Sequence, residues 1–165
     1  MSYGEDSGDD YDFDAMRGHE YPTIIQFTAI LENRVGRLLE VIRCFQNTSS
    51  RIVALNIHDS TECSLVRFVV THSEQGRDIL KTADLSLIES ELIAIELPQV
   101  NQPLIDVCEA LLQAEVNLVQ TYPLMVTSDG NMAVALMVDN VDLAQQTLAC
   151  EDITMLSEAD LLDLQ

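Results

Sequence analysis

The sequence predicts an α+β protein made of two consecutive βαββαβ units, and three observations carry that prediction. Short apolar runs rich in β-branched residues alternate with stretches of helical period, in the order strand, helix, strand, strand, helix, strand, and the series then starts again. The two halves keep one register: an offset of 66 residues sets Leu38 against Leu104 and Arg51 against Asn117. The same offset matches Glu40 with Asp106, Val41 with Val107, Phe45 with Leu111 and Ile52 with Leu118, which argues duplication of a single unit. Finally, 47% of the 165 residues are hydrophobic and 22% charged, enough apolar matter for a sizeable core. The element order is the split βαβ pattern of ferredoxin-like folds.

Residues 1–22 are rich in Asp, Gly, Ser and Tyr and show neither period, so they read as a disordered acidic tail, or as an electrostatic arm made adhesive by Tyr3, Tyr11 and Phe13. Thr23 to Leu31 is an apolar strand. It runs into Glu32-Asn33-Arg34-Val35-Gly36-Arg37-Leu38, after which Leu38, Leu39, Ile42 and Phe45 recur at helical spacing. Gly36 permits a tight turn there. Free N–H groups at the start of the helix, with Arg34 and Arg37, favour an anion such as a small carboxylate; the plain alternative is a strand-to-helix turn containing a glycine. Arg51 to His58 and Cys63 to Thr71 form a hairpin across Asp59-Ser60-Thr61-Glu62. Ser73 to Thr82 is a helix with Ile79 and Leu80 inward, and a strand covers about Leu87 to Leu97. The second unit begins within that run, at Leu92 to Leu97. After the loop Pro98-Gln99-Val100-Asn101-Gln102-Pro103, Leu104, Val107, Cys108, Leu111 and Leu112 mark an amphipathic helix with Pro103 at its first position. Strands follow at Asn117 to Val126 and Asn131 to Val138, turning at Asp129-Gly130. Asn140 caps a helix through Cys150. Ile153 to Leu156 is a last strand, and Ser157 caps a short terminal helix.

Charge is unevenly placed. Residues 1–22 carry −6, residues 23–81 carry +1, and residues 82–165 carry −15 without a single Lys or Arg, for a net charge of −20. Such a field repels phosphate backbones and argues against nucleic acid. It serves either to solvate the protein in a salty habitat or to dock a cationic partner. No apolar run approaches the roughly 20 residues of a membrane helix, and the acidic N-terminus lacks a secretory h-region. Cys44, Cys63, Cys108 and Cys150 form no CxxC pair and sit in apolar segments, so buried free thiols and a cytoplasmic location are expected. Catalytic and metal patterns are thin. His58 has Asp59 and Glu62 nearby, a weak metal-ligand set, and no nucleophile with an orienting base is visible. The chain is expected to be no enzyme and to need no cofactor and no metal.

The apolar strand, the loop Glu32 to Leu38, the helix after it and the hairpin from Arg51 together resemble the ACT domain family of small-molecule regulatory modules. Pro98-Gln99-Val100-Asn101-Gln102-Pro103-Leu104 resembles a degenerate second copy of the loop. The resemblance covers about residues 22–165 and is nearest to stand-alone tandem ACT proteins, some of them relatives of the acetolactate synthase small regulatory subunit. It implies two modules, 23–91 and 92–165, side by side in a pseudo-dimer whose sheets join into one eight-stranded antiparallel sheet with helices on one face. It also implies an amino-acid ligand at the module interface, held by Asn33, Val35, Gly36, Arg37 and Leu38 of the first loop and by Asn117 of the second half. The reciprocal site would pair Gln99, Val100, Asn101 and Gln102 with Arg51; Gln102 stands where the loop glycine belongs and Arg51 where an Asn belongs, so that site is expected to be degenerate. The implied function is allosteric regulation by amino-acid binding. The alternative is a regulatory subunit, alone or as a homodimer, that docks on an amino-acid biosynthesis enzyme without a ligand of its own. The competing expectation is that the arginines of the first unit are taken up by pairs with the acidic second half.

Overall fold

The computed structural model describes residues 19–59, 63–128 and 130–163. In chain order these form β1 (Ile24–Glu32), α1 (Arg37–Arg43), β2 (Ile52–Asp59), β3 (Cys63–Val70), α2 (Ser73–Thr82), β4 (Leu87–Glu96), α3 (Pro103–Gln113), β5 (Leu118–Ser128), β6 (Asn131–Val138), α4 (Val141–Cys150), β7 (Met155–Leu156) and α5 (Glu158–Asp163). The expected α+β fold of two βαββαβ units is present, with all strand pairs antiparallel. The tail expected over 1–22 falls, up to residue 18, outside the described residues, as do the hairpin residues 60–62 and Asp129.

The sheet has seven strands rather than the expected eight, in the order β2-β3-β1-β4-β6-β5 with β7 also on β4. The reason is that β4 belongs to both units. Its first part, Leu87 to Leu92, pairs with β1; Ile93 to Glu96 pair with β6 on the other edge, and Ala94 and Ile95 pair with β7. β1 and β7 thus lie end to end along one edge of β4, and the division expected after residue 91 falls inside this strand. The last strand is the two-residue β7 rather than Ile153 to Leu156.

Alternation along the strands builds two kinds of core. On the helix side of the first unit, Ile25, Phe27, Ala29, Leu31, Val66, Phe68 and Val70 pack with Val41, Phe45 and Leu80 from α1, α2 and the turn after α1. The second unit repeats this with Ile93, Ile95, Val134 and Leu136 against Val107, Leu111, Ala144 and Leu148. Gly76 allows α2 to lie close on the sheet: a Cβ there would sit 2.6 Å from Val70 Cγ2. The opposite face carries a third cluster common to both halves, including Ile24, Val53, Val69, Leu92, Ala94, Tyr122, Leu124 and Ala135. The sheet curls around it until the outer strands β2 and β5 pack against each other, and Leu161 of α5 plugs one end. Glu158 of α5 there accepts a hydrogen bond from the Ser73 backbone at the start of α2, 3.2 Å away.

Helix ends follow local chemistry. Pro103 opens α3, Asn140 Oδ1 accepts from Leu143 N at 3.1 Å at the start of α4, and Ser157 with Asp160 forms a reciprocal cap on α5. Among the described residues the cysteines form no disulfide, but they are not buried as expected: Cys44, Cys108 and Cys150 are exposed and Cys63 is half-buried. Their apolar neighbours in sequence turn inward, whereas Cys44 and Cys150 stand at helix ends and Cys108 on the outer side of α3.

Candidate functional site

β1 ends in the loop that the sequence marks out. Gly36 caps α1 with φ +88, the left-handed conformation that glycine reaches without strain. A Cβ at that position would meet nothing within 4 Å, so the loop lies open. Val35 is fully exposed, at 101%; Asn33 is also exposed, and Arg37 and Leu38 are half-buried. Between the loop and the edge of the sheet is a cleft of about 240 Å³ lined by Leu31, Asn33, Arg34, Arg37, Leu38 and Ile57, among others. Its floor is apolar and its lip is polar, the usual make-up of a small-molecule site.

The cations at this lip have partners already. Arg34 holds Glu40 through two hydrogen bonds, at 3.1 and 2.8 Å, and Arg37 adds a third at 2.9 Å. Hydrogen bonds from Arg37 and Arg34 hold the Glu40 carboxyl below its ordinary range. These arginines are thus paired within their own unit, not with the acidic second half. The arrangement also limits the helix start as an anion site, since α1 has only seven residues and Glu40 brings its own charge.

Asn117 does not line this cleft. It stands just before β5, exposed, with its backbone N–H donating to Asp139 Oδ1 at 3.0 Å. The antiparallel chain of pairings β1-β4-β6-β5 nevertheless puts the end of β1 and the start of β5 at the same end of the sheet. By the same logic Arg51 and the second loop, Gln99 to Gln102, share the opposite end. That second loop is partly tied down: Gln99 bonds Asn131, which in turn bonds Glu96. Val100, Asn101 and Gln102 are exposed, and Gln102 caps α3 with no side-chain bond.

Sequence reasoning missed two features. One is Glu40 as the counter-ion of the first loop; its spacing of three from Arg37 on the helix was the available signal. The other is the fastening of the segment before β1. His19 Nδ1 lies 2.6 Å from Asp142 Oδ1 and Nε2 lies 3.0 Å from Glu91 Oε2, while Gln145 of α4 donates to the carbonyls of Tyr21 and Pro22 at 3.1 and 2.9 Å. Bonds to Asp142 and then Glu91 raise the His19 imidazole above its usual value. Among the described residues, no three His, Cys, Asp or Glu side chains are grouped to hold a metal ion.

The family model of the ACT domain pair matches residues 22–165. No curated protein matches the sequence. Among solved structures, protein BT0572 from Bacteroides thetaiotaomicron is similar over 85% of this chain and 96% of its own, with 22% identity and a TM-score of 0.76. The ligand-free regulatory subunit of aspartate kinase from Thermus thermophilus is similar over 78% of this chain and 90% of its own, with 11% identity and a TM-score of 0.55. The corresponding subunit from Thermus flavus is similar over 79% and 93%, with 11% identity and a TM-score of 0.51. At these identities the likeness is one of fold.

Proposed function

We propose, from the premise that this chain belongs to the ACT domain pair family, that it is a non-catalytic cytoplasmic regulatory protein that binds an amino acid beside its first loop. The observation that carries this reading is the cleft of about 240 Å³ under Asn33, Arg37 and Leu38. It lies at the strand-to-helix turn that the resemblance gives as one side of a ligand site between the modules, its lining comes from the first unit, and it is below the roughly 300 Å³ at which drug-sized pockets begin. In this reading the two modules, 23–91 and 92–165, meet within β4, and Asn117 of the second is at the same end of the sheet as the first loop without lining the cleft. The ligand's carboxylate takes the place of Glu40 as the partner of Arg37, and Gly36 lets the ligand approach the backbone. The second loop, with Gln99 drawn toward Asn131, stays a degenerate site together with Val100, Asn101, Gln102 and Arg51. Coupling arises because the ligand favours one packing of the two modules over another.

Titrating the twenty amino acids while following thermal unfolding tests this. A ligand at a hundred times its dissociation constant adds about 2.7 kcal/mol of stability. Gly36→Asp meets no atom within 4 Å but is strained at φ +88, at a cost of about 1–2 kcal/mol, and removes the response; Glu40→Gln tightens binding by releasing Arg37. The absence of a response to any amino acid at millimolar concentration overturns the reading.

One observation favours the second reading, a regulatory subunit that docks on an amino-acid biosynthesis enzyme such as acetolactate synthase. The outer side of α3 exposes Leu104, Ile105 and Leu112, the last at 75%, more apolar surface than a solvated helix needs. Copurification with such an enzyme, lost in Ile105→Glu and unaffected by amino acids, would select this reading over the first.

A further inference from the structure

The face of the sheet away from the helices is apolar at one end and polar at the other. Where α5 closes the curl, Ile24, Leu92, Ala94, Leu124 and Leu156 pack with Leu161. Further along the same face the side chains become Gln26, Thr28, Asn56, Arg67, Ser90 and Tyr122. Strand register sets this layer. Thr28 and Asn56 lie directly opposite Arg67 on its two neighbouring strands, and Ser90 lies opposite Gln26. Arg67 falls on this face because Val66 and Phe68 on either side of it turn into the helix-side core. Tyr122 reaches across from β5 and donates to Gln26 Oε1 at 2.6 Å, both groups being buried. Burial pushes the Tyr122 phenol up from its usual value and the nearby charge of Arg67 opposes the push.

Arg67 differs from the other half-buried arginines. Arg37 and Arg77 each bind a carboxylate. The chain has 28 acids against 8 bases, yet the Arg67 guanidinium makes no hydrogen bond or ion pair among the described residues, although it is half-buried. Thr28, Asn56 and Ser90 beside it also make no side-chain hydrogen bond there. None of these groups is sealed off without a partner; among the described residues that is true only of Gln145 Oε1. Arg67, Asn56 and Ser90, all half-buried, are therefore reached by solvent, whereas Gln26 and Tyr122 are buried. Ile88 lies opposite Thr28, in the same cross-strand row as Arg67, and Ile30 is one step further toward the end where β1 finishes; on this same face they are 58% and 48% exposed. Five guanidinium donors and three small polar groups thus share a face with two exposed apolar side chains, and among the described residues no carboxylate pairs with the guanidinium.

We propose that this open end of the curled sheet is a second binding site, for a small carboxylate with an apolar tail, in which Arg67 pairs with the carboxylate and Ile30 and Ile88 pack on the tail. Thr28 and Asn56 supply further hydrogen bonds to the oxygens, and the Tyr122–Gln26 pair forms the floor. The apolar tail lies along Ile30 and Ile88 toward solvent, so chain length sets affinity. The site stands apart from the cleft beside Gly36, which faces the helix side.

The test is an NMR titration of the Arg67 Nε–Hε resonance with acetate, butanoate and hexanoate at fixed ionic strength. The expected result is a saturable shift, with binding about fourfold tighter for each methylene that reaches the rim. Arg67→Gln removes the shift-linked binding, and Gly36→Asp leaves it unchanged, which separates this site from the one beside the first loop. A non-saturating shift, equal affinity along the series, or undiminished binding by Arg67→Gln overturns the proposal. Should Arg67→Gln fail to fold, Ile88→Ser decides: weaker hexanoate binding with acetate unchanged supports the site, and unchanged hexanoate binding overturns it.

Discussion

One buried hydrogen bond bridges the curled sheet, and its energy can be isolated. Tyr122 of β5 donates to Gln26 of β1 at 2.6 Å; Gln26 is 1% exposed and Tyr122 9%. Tyr122→Phe deletes the donor and leaves the Gln26 carbonyl without it in a site short of water, which costs about 1–3 kcal/mol. Gln26→Leu strands the phenol instead, at a similar cost. Replacing both groups with apolar ones removes the need for either, so the double variant recovers most of the loss, with a coupling of about 1–3 kcal/mol. For a chain of this size each kcal/mol moves the thermal midpoint by about 2–4 °C. Urea unfolding followed by circular dichroism gives the four free energies, provided that two probes report coincident transitions. If the double variant loses the sum of the two single losses, to within about 0.5 kcal/mol, the two residues are not coupled and the sheet does not close through them.

Two further tests concern the helix face and the segment before β1. Gly76→Ala gains about 1 kcal/mol of helix propensity, but its methyl would lie 2.6 Å from Val70 Cγ2 and 3.4 Å from Phe27 Cε2. Val70 is stiff and buried, so overpacking of about 1–3 kcal/mol wins, and calorimetry should record a lower midpoint; an unchanged or higher one would show that Val70 can turn aside. His19, raised above 6.5 by Asp142 and Glu91, contributes stability that is fully present below the unfolded value and is lost as pH rises through the higher folded value. His19→Gln should abolish that part of the pH dependence, and an NMR titration placing the His19 midpoint at or below 6.5 would refute the pairing.

Much of the architecture was legible because its signals are local. Ser73 to Thr82 and Asn131 to Val138 have the expected bounds, and Pro103, Asn140 and Ser157 sit at the helix starts that their chemistry favours. The 66-residue register also holds, with α1 starting at Arg37 and α3 at Pro103, β2 at Ile52 and β5 at Leu118. The sharing of β4 was not legible: a run such as Leu87 to Glu96 shows that a strand forms but not which edge pairs with what. The bond from His19 to Asp142 spans 123 positions and leaves no periodic trace. At the candidate site, Gly36 and its turn were readable from residue type alone, while the capture of Arg34 and Arg37 by Glu40 depended on how the helix rotates its first turn. Burial of the cysteines failed for the same reason, since composition of the neighbourhood does not fix the side of a helix.

β4 makes the two copies inseparable. Either copy released by itself would keep half a strand with nothing alongside it, a raw hydrogen-bonding edge of the kind that recruits other chains into aggregates. Duplication here has thus passed a point of return: excising one copy would damage the other, so melting should proceed as a single event, and any force that a ligand exerts on the first copy is transmitted along an unbroken backbone into the second.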